Sequence, residues 1–296
     1  MVKSGLVVRS YSGYYYVDCD GEMITCKVKG HMKQKRFSLC TGDRVVLEPV
    51  PDRAADEGMI TSVLPRKNYL ERPTVANLDL LVITLALAQP DFSFLILDKL
   101  LVLAEAAKVP VLLVLTKADL VTEEQIEMIA SVFKNIGYEV YVISSKTGQG
   151  IDALRQRLAE KITAFGGPSG VGKSSALNAI QPGVLRTTGE ISSKISRGKH
   201  TTRYTELVPF NGGYLADTPG FGNVMMENLS PEVLPACFPE FRRYEAECKF
   251  SPCSHTHEPV CGVKAAVEEN KIALSRYTSY LSILEELKES KARNRR

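Results

Sequence analysis

The residues best suited to chemistry form an eight-residue run, Gly167-Pro168-Ser169-Gly170-Val171-Gly172-Lys173-Ser174. Glycines at this spacing let successive backbone N–H groups turn towards phosphate oxygens, at the positive end of a following helix. The lysine can reach β- and γ-phosphates, and the Ser174 hydroxyl, followed by Ser175, can take one position on a magnesium ion. Residues 162–165 predict a buried strand and 175–180 a helix, which favours a phosphate-binding loop over a glycine-rich turn with a stray lysine.

A second motif, Thr116-Lys117-Ala118-Asp119, follows an apolar run at 109–115 that predicts a strand buried on both faces. An aspartate there can accept hydrogen bonds from N1 and the 2-amino group of guanine, which adenine cannot supply. Lys117 can lie along the base and brace the phosphate loop. The first residue is usually asparagine, and Thr116 keeps a hydroxyl but loses the amide. A further apolar strand at 140–143 ends in Ser144-Ser145-Lys146, a pattern that closes over the base.

Two segments after the phosphate loop have the features of nucleotide-sensing switches. Asp217-Thr218-Pro219-Gly220 follows a predicted strand at 213–216; its aspartate should reach magnesium through water, and the Gly220 N–H should contact the γ-phosphate. The stretch 192–203 is polar and basic, and a hydroxyl of Thr201 or Thr202 is expected to bind magnesium when GTP is present. The stretch also reads as a solvated basic loop, and we expect GTP to order it.

The group that orients the attacking water is not the usual one. Many GTPases carry glutamine directly after the last glycine of the second switch, whereas this chain has Phe221, which cannot hydrogen-bond to water. His200 is the best local candidate for the catalytic group, and a flexible surface histidine is the alternative. We expect slow intrinsic hydrolysis that a partner accelerates by ordering the switch.

Four residues near the C-terminus, Cys248, Cys253, His255 and Cys261, form a compact set suited to tetrahedral structural zinc. His257 competes as the nitrogen ligand, and spacing alone does not decide between the two histidines. Disulfides are disfavoured because the sequence shows neither a signal peptide nor a membrane-spanning apolar run, which predicts a reducing compartment. The remaining cysteines are expected to be small buried residues: Cys19, Cys26, Cys40 and Cys237.

The first sixty residues predict a small β-barrel of the OB type, because five short strand patterns are separated by turn signals. These strands are expected at 6–8, 14–17, 23–28, 44–47 and 59–63. Basic and aromatic side chains in this region suit RNA backbone and exposed bases, with a charged, solvated edge as the alternative. They are Lys27, Lys29, His31, Lys33, Lys35, Arg36, Tyr11, Tyr14, Tyr15, Tyr16 and Phe37.

A chain of 296 residues with a net charge of +3 is long enough for two or three domains, and nucleic acid would have to bind local patches. We predict a multidomain α/β protein with three parts. They are an OB-like barrel at 1–65, a GTPase domain at 66–224, and a helical zinc-binding domain with a basic tail at 225–296. The last part includes a helical pattern from 264 to 289. We expect a monomer without membrane attachment.

The order of the motifs is inverted relative to ordinary GTPases, since the guanine motif precedes the phosphate loop. This order predicts a circularly permuted GTPase domain. Together with the barrel and the C-x4-C-x-H-x5-C spacing, the chain resembles the family of ribosome small-subunit-dependent GTPase A. The resemblance implies a cytoplasmic bacterial GTPase that acts late in small-subunit assembly, binds ribosomal RNA, and hydrolyses GTP to GDP faster on the subunit. It also implies that His200 is the catalytic group.

Two other functions are consistent with part of the sequence. A nucleotide kinase would share the phosphate loop, but the guanine motif and the lack of a lid-like arginine cluster disfavour it. A non-catalytic RNA-binding module with a structural GTP site is consistent with Phe221. Turnover measured with and without small subunits separates these alternatives.

Overall fold

The computed structural model describes residues 2–29, 38–50, 56–71, 73–183, 205–217, 226 and 229–293. The chain divides into two compact units. The first comprises Met1–Leu81, Asp152–Phe165 and Ser174–Phe221, and the second comprises Val82–Ile151, Gly166–Lys173 and Gly222–Arg296. The three domain boundaries predicted from the sequence remain predictions.

Five strands at the start of the first unit close into a barrel. They pair in the order β1-β2-β3-β5-β4, and β4 also pairs with β1, so this part of the sheet has no free edge. Alternate residues face a core that includes Val7, Val17, Ile24 and Ile60. The barrel predicted from the sequence is confirmed, with longer strands: β1 Lys3–Tyr11, β2 Tyr14–Cys19, β3 Glu22–Val28, β4 Arg44–Pro49 and β5 Glu57–Val63.

A two-stranded hairpin follows the barrel, formed by β6 (Tyr69–Glu71) and β7 (Thr74–Ala76). The rest of the first unit contains β11 (Ile162–Gly166), β12 (Glu206–Phe210) and β13 (Gly213–Asp217). β11 runs parallel to β13, and β12 pairs antiparallel with both β13 and β1. Helices α3 (Ile151–Leu158) and α4 (Lys173–Ile180) precede and follow β11.

The second unit contains a parallel pair of strands, β9 (Val111–Thr116) and β10 (Glu139–Val142), and next to β9 lies β8 (Leu80–Ala86). All seven residues of β8 are buried, as expected for a strand covered on both faces. Helix α1 (Phe94–Ala106) follows β8, and α2 (Glu123–Ile136) follows β9. Thr122 and Gln125 form a capping box that begins α2, and Gly137 in a left-handed conformation ends it.

The C-terminal part of this unit is built from short 3-10 turns and two helices, α5 (Gly262–Glu268) and α6 (Leu274–Arg293). The continuous helical pattern expected from 264 to 289 is therefore interrupted. Asn270 adopts a left-handed conformation with φ of 58°, and the N–H groups of Lys271 and Ile272 turn back to the carbonyl of Ala266. The break lets α5 and α6 pack around one core with Phe238 and Phe241.

One buried ionic cluster joins α6 to α1. The guanidinium of Arg276 donates to Asp98 at 2.5 Å and to both carboxylate oxygens of Glu240, at 2.7 and 3.2 Å. Arg276 and Asp98 are fully buried. Two carboxylates around one guanidinium compensate for part of the cost of removing these charges from water.

Candidate nucleotide site and metal cluster

The predicted phosphate loop leaves β11 and enters α4 at Lys173, and Ser174 and Ser175 lie in the first turn of that helix. Gly167, Gly170 and Gly172 have φ values of 136°, 78° and 93°, which side chains rarely allow. A Cβ atom on Gly167 would lie 2.1 Å from the carbonyl oxygen of Thr84. Glycine is therefore required for the backbone to follow this path.

The Lys173 side chain folds back over the loop. Its ammonium donates to the carbonyl oxygens of Gly167 at 2.6 Å and Pro168 at 2.5 Å. Burial lowers the pKa of Lys173 because removal from water disfavours the charged form. The two hydrogen bonds place the lysine nitrogen against the concave backbone of the loop, where phosphate would bind.

Two successive residues at the end of β9 contact the same loop. Thr116 is 2% exposed, and its hydroxyl donates to the carbonyl oxygen of Val171 at 2.5 Å. The neighbouring ammonium of Lys117 donates to the carbonyl oxygen of Gly170 at 2.9 Å and also to that of Gln89. The guanine motif and the phosphate loop are thus joined through two adjacent carbonyl groups.

Asp119 lies in the 3-10 turn Ala118–Leu120, immediately after these two residues. Its Oδ1 atom accepts a hydrogen bond from the Ser144 hydroxyl at 2.6 Å, and the Lys146 ammonium lies 4.0 Å from its Oδ2 atom. The hydrogen bond from Ser144 is the main cause that lowers the pKa of Asp119. The carboxylate is therefore an anion at neutral pH, as accepting two donors from a base would require.

The turn that carries Ser144, Ser145 and Lys146 is compact. The Ser144 N–H donates to Gln149, and its carbonyl accepts from Gly148. A Cβ atom on Gly150, whose φ is 71°, would lie 2.3 Å from the carbonyl oxygen of Val142. The close approach of this turn to the end of β10 positions Ser144 beside Asp119.

Cys248, Cys253, His255 and Cys261 converge in the C-terminal part of the second unit. Their four ligating atoms all lie within 4.8 Å of one another. The Cys248 and Cys261 sulfurs are 3.9 Å apart, and the Nδ1 atom of His255 lies 3.7 and 3.4 Å from them. Tetrahedral zinc with its usual bond lengths separates its ligands by about 3.5–3.8 Å, and the three separations among Cys248, His255 and Cys261 are close to this size, so the group could hold a metal ion.

The structure distinguishes the two candidate histidines. His255 is buried within the cluster, and the Tyr277 hydroxyl holds its backbone carbonyl at 2.7 Å. His257 is exposed, and its Nδ1 atom lies 3.0 Å from the Thr256 hydroxyl. The four cysteines expected to be small buried residues are indeed buried and unpaired: Cys19, Cys26, Cys40 and Cys237.

Comparison with known proteins agrees with this geometry. The family model described as RsgA GTPase matches residues 63–227, and that described as RsgA N-terminal domain matches residues 4–60. The chain belongs to the RsgA GTPase family. A relative from Carboxydothermus hydrogenoformans, named small ribosomal subunit biogenesis GTPase RsgA, is 43% identical over 96% of this chain and 97% of its own. A relative of the same name from Agathobacter rectalis is 40% identical over 96% and 98%.

Two solved structures are similar along nearly their whole length. The crystal structure of YjeQ from Thermotoga maritima has a TM-score of 0.83 and 38% identity, and covers 97% of this chain and 99% of its own. The crystal structure of YloQ, described as a circularly permuted GTPase, has a TM-score of 0.81 and 35% identity, and covers 98% of this chain and 96% of its own. The permuted order predicted for this RsgA-family GTPase, with β9 and its guanine motif before β11 and the phosphate loop, is confirmed.

Several predicted site residues fall outside the described part of this RsgA-family GTPase. They are His200, Thr201, Thr202, Gly220 and Phe221. Asp217 is the last residue of β13.

Other contacts were not predicted from sequence. The Gln89 carbonyl that receives Lys117 is a backbone group without a motif, so no sequence signal marks it. The buried cluster of Asp98, Glu240 and Arg276 joins positions far apart in the chain. The one available signal was a charged residue within an apolar helical pattern, as Asp98 is in α1.

Proposed function

We propose that this GTPase hydrolyses GTP to GDP and phosphate as an assembly factor of the small ribosomal subunit. The observation that carries the proposal is the near-complete coverage, at about 40% identity, of relatives named for small ribosomal subunit biogenesis. The connected guanine motif and phosphate loop supply a site of the required chemistry. Action on a ribosomal subunit would place the protein in the cytoplasm. Among the described residues, none of the helices is long and apolar enough to span a membrane.

The proposed nucleotide contacts follow from the chemistry of each group. Asp119 accepts hydrogen bonds from the edge of the guanine base. When GTP binds, the Lys173 ammonium leaves the loop carbonyl groups and binds the β- and γ-phosphates. Magnesium, bound with the nucleotide, would be held by Ser174, by Asp217 through water, and by Thr201 or Thr202. The ion would neutralise charge that develops on the phosphate oxygens. His200 would orient the attacking water because Phe221 cannot.

We also propose zinc as the ion of the Cys3His cluster. Three thiolates and one imidazole match its preferred ligands, and a closed four-ligand set leaves no position for catalysis. The carboxylate of Glu258 accepts from the backbone N–H groups of Ser254 and Thr256, at 2.7 and 2.9 Å, and so shapes the loop around His255. The proposed role of the metal is to fold this segment.

One face of the barrel supports RNA binding, and we name it the aromatic face: Arg9, Tyr11, Tyr14, Tyr16 and Lys27. The guanidinium of Arg9 lies 3.9 Å from the Tyr16 ring centre, and the ammonium of Lys27 lies 4.7 Å from that of Tyr14. Tyr11 and Tyr14 are paired across β1 and β2 and are both exposed. Aromatic rings beside cations suit stacked bases and the adjoining phosphates. The predicted residues His31, Lys33, Lys35, Arg36 and Phe37 lie outside the described residues.

Co-sedimentation with purified ribosomal subunits tests the proposed partner. With a non-hydrolysable GTP analogue, the protein should pellet with small subunits, and with GDP it should remain mostly in the supernatant. Large subunits are the matched control. Equal binding to both subunits in every nucleotide state would contradict the proposal.

Transfer of phosphate to a nucleotide would instead favour a kinase.

A further inference from the structure

Arg9 on the barrel contacts the first residue of β12. Strands β1 and β12 pair at one position, where Arg9 lies opposite Glu206. Residues that lie opposite each other in an antiparallel pair project from the same face of the sheet, and the Arg9 guanidinium lies 3.6 Å from the Glu206 carboxylate. Arg9 also lies opposite Tyr16 on β2, with its guanidinium 3.9 Å from the centre of that ring. Arg9 therefore connects the aromatic face to the start of β12.

A second contact holds Thr205, the residue before β12. The Thr41 hydroxyl donates to the Thr205 carbonyl oxygen at 2.8 Å, and both residues are buried. The turn that carries Thr41 is closely packed. The Gly42 N–H donates to the Val7 carbonyl at 2.8 Å, and a Cβ atom on Gly42 would lie 2.1 Å from the Ala76 carbonyl oxygen. Thr205 is therefore held by a part of the first unit that has little room to move.

The start of β12 is close, in sequence and in strand register, to the residues proposed to hold magnesium. Thr202, one of the two candidate ligands in the first switch, precedes Thr205 by three positions. Glu206 lies opposite Asp217, where β12 pairs with β13. A change in the position of Thr205 and Glu206 would therefore act on both segments that are proposed to bind the ion.

We infer that Thr41 and Glu206 are positioning residues that couple RNA on the aromatic face to GTP hydrolysis, by holding the first residues of β12. This inference rests on the proposed function. A partly exposed ion pair contributes little by itself, because water screens it. RNA that covers the Arg9 side chain, which is 31% exposed, removes this water and strengthens the pair with Glu206. A guanidinium has five N–H donors, so it can contact RNA and Glu206 together.

Coupling between two sites acts in both directions. If bound RNA favours the state in which the start of β12 is held, that state also binds RNA more tightly by the same factor. GTP and its magnesium ion should therefore raise the affinity for RNA, and loss of the contacts of Thr41 or Glu206 should remove this increase. A purely structural role would change the RNA affinity equally with GTP and with GDP.

Three substitutions and two matched controls test the inference. Thr41→Val keeps the shape and removes the hydroxyl, Thr41→Ser keeps the hydroxyl, and Glu206→Gln removes the charge. The control Thr61→Val removes a hydroxyl that donates to the Val46 carbonyl within the barrel at 3.3 Å. The control Glu22→Gln removes a barrel carboxylate that pairs with a lysine on β1. Fluorescence anisotropy measures the affinity for single-stranded oligouridylate, with a non-hydrolysable GTP analogue or with GDP, and thermal unfolding identifies variants that do not fold.

The wild-type protein should bind this RNA at least about fivefold more tightly with the GTP analogue than with GDP, within the usual range for two coupled sites. Thr41→Val and Glu206→Gln should bring this ratio close to one, whereas Thr41→Ser and both controls should keep it. If Thr41→Val does not fold, the ratio in Glu206→Gln decides. Equal RNA affinities in the two nucleotide states of the wild type, or an unchanged ratio in either folded variant, would overturn the inference.

Turnover on small subunits separates this inference from the proposed function. Thr41→Val and Glu206→Gln should keep the hydrolysis rate of the free protein within about twofold and lose about fivefold or more of the stimulation by small subunits. Stimulation equal to that of the wild type would overturn the inference, as would an equal loss in the free protein. If small subunits do not stimulate the wild type, the proposed partner is refuted, and the RNA affinity ratio still decides the inference because it needs no subunit.

Discussion

At the scale of single residues, hydrogen bonds decide which groups are free to meet a nucleotide. Ser144 donates to the Asp119 carboxylate and lowers its pKa, whereas the hydroxyl of Thr116 is used within the protein. Among the residues that the structure describes, Asp119 therefore has both the negative charge and the position to accept two hydrogen bonds from guanine. Its identity should determine which purine is bound.

Asp119→Asn should move the preference from GTP to xanthosine triphosphate. An amide can donate to the additional carbonyl of xanthine but cannot replace the anion that accepts from guanine. GTP affinity should fall by about a hundredfold, the scale of two hydrogen bonds to a charged group. Competition binding with both nucleotides checks this. Asp152→Asn, at an exposed carboxylate in α3, is the control and should leave the preference unchanged. Retained GTP preference in Asp119→Asn would exclude Asp119 from base reading.

The metal cluster gives a second prediction at this scale. The purified protein should contain one zinc ion per chain, and Cys253→Ala should lose it together with the folding of 248–261. Cys237→Ala removes a buried thiol outside the cluster and should retain the metal. Elemental analysis and limited proteolysis measure the two effects. A wild-type protein that is fully folded without metal would rule the site out.

At the scale of elements, the C-terminal helices are joined to α1 by apolar packing and by the buried charges around Arg276. Burial raises the pKa of Asp98 even though Arg276 opposes that shift. A carboxyl group whose pKa is higher in the folded than in the unfolded state binds protons more tightly when the protein is folded. Its contribution to the free energy of unfolding therefore decreases as the pH rises through these two pKa values. The guanidinium limits this loss.

Arg276→Met should lower the free energy of unfolding by about 3 kcal/mol or more, because two buried carboxylates lose their partner. The loss should be smaller at pH 5 than at pH 8, since Asp98, whose pKa burial raises, needs no counter-charge once it is protonated. Urea unfolding at both pH values measures this. Arg243→Met, at an exposed arginine, should change stability by less than about 0.5 kcal/mol. An equal loss at both pH values would argue against uncompensated acids as the cause.

The aromatic face of the barrel is the element expected to contact RNA. Tyr14→Leu should weaken binding of a single-stranded RNA by about tenfold, because one stacking platform is lost. Fluorescence anisotropy at two salt concentrations measures the affinity. Tyr69→Leu, on β6, keeps the aromatic face and should bind like the wild type. Unchanged affinity in Tyr14→Leu would move the RNA contact elsewhere.

At the scale of the whole molecule, most of the architecture follows from local sequence patterns. The strands that carry the motifs and the five strands of the barrel were predicted because their patterns are local. The break at Asn270 was not, since a left-handed residue within a helical pattern depends on tertiary packing. The choice of His255 over His257 likewise required the fold. The contact of Thr116 with Val171 spans 55 positions and involves a carbonyl group, which no side-chain pattern reports.

His200 remains a prediction, and its effect should appear on the ribosomal subunit. His200→Ala should bind GTP with nearly wild-type affinity, because the phosphate loop and Asp119 are unchanged. Subunit-stimulated turnover should fall by about a hundredfold or more, the scale of losing a group that positions the attacking water. His257→Ala, at an exposed histidine, is the control. Turnover of His200→Ala within a few-fold of wild type would move the role to a ribosomal group.

Activation by the small subunit is tested by the rate of GTP hydrolysis by the wild-type protein, measured with and without purified small subunits at equal magnesium and salt. We expect slow release of phosphate by the protein alone. Release should be at least about tenfold faster with small subunits, because ordering of the switch positions the catalytic group, and it should not change with large subunits. Hydrolysis that is absent both with and without small subunits, or equally fast in both conditions, would exclude a GTPase that the small subunit activates.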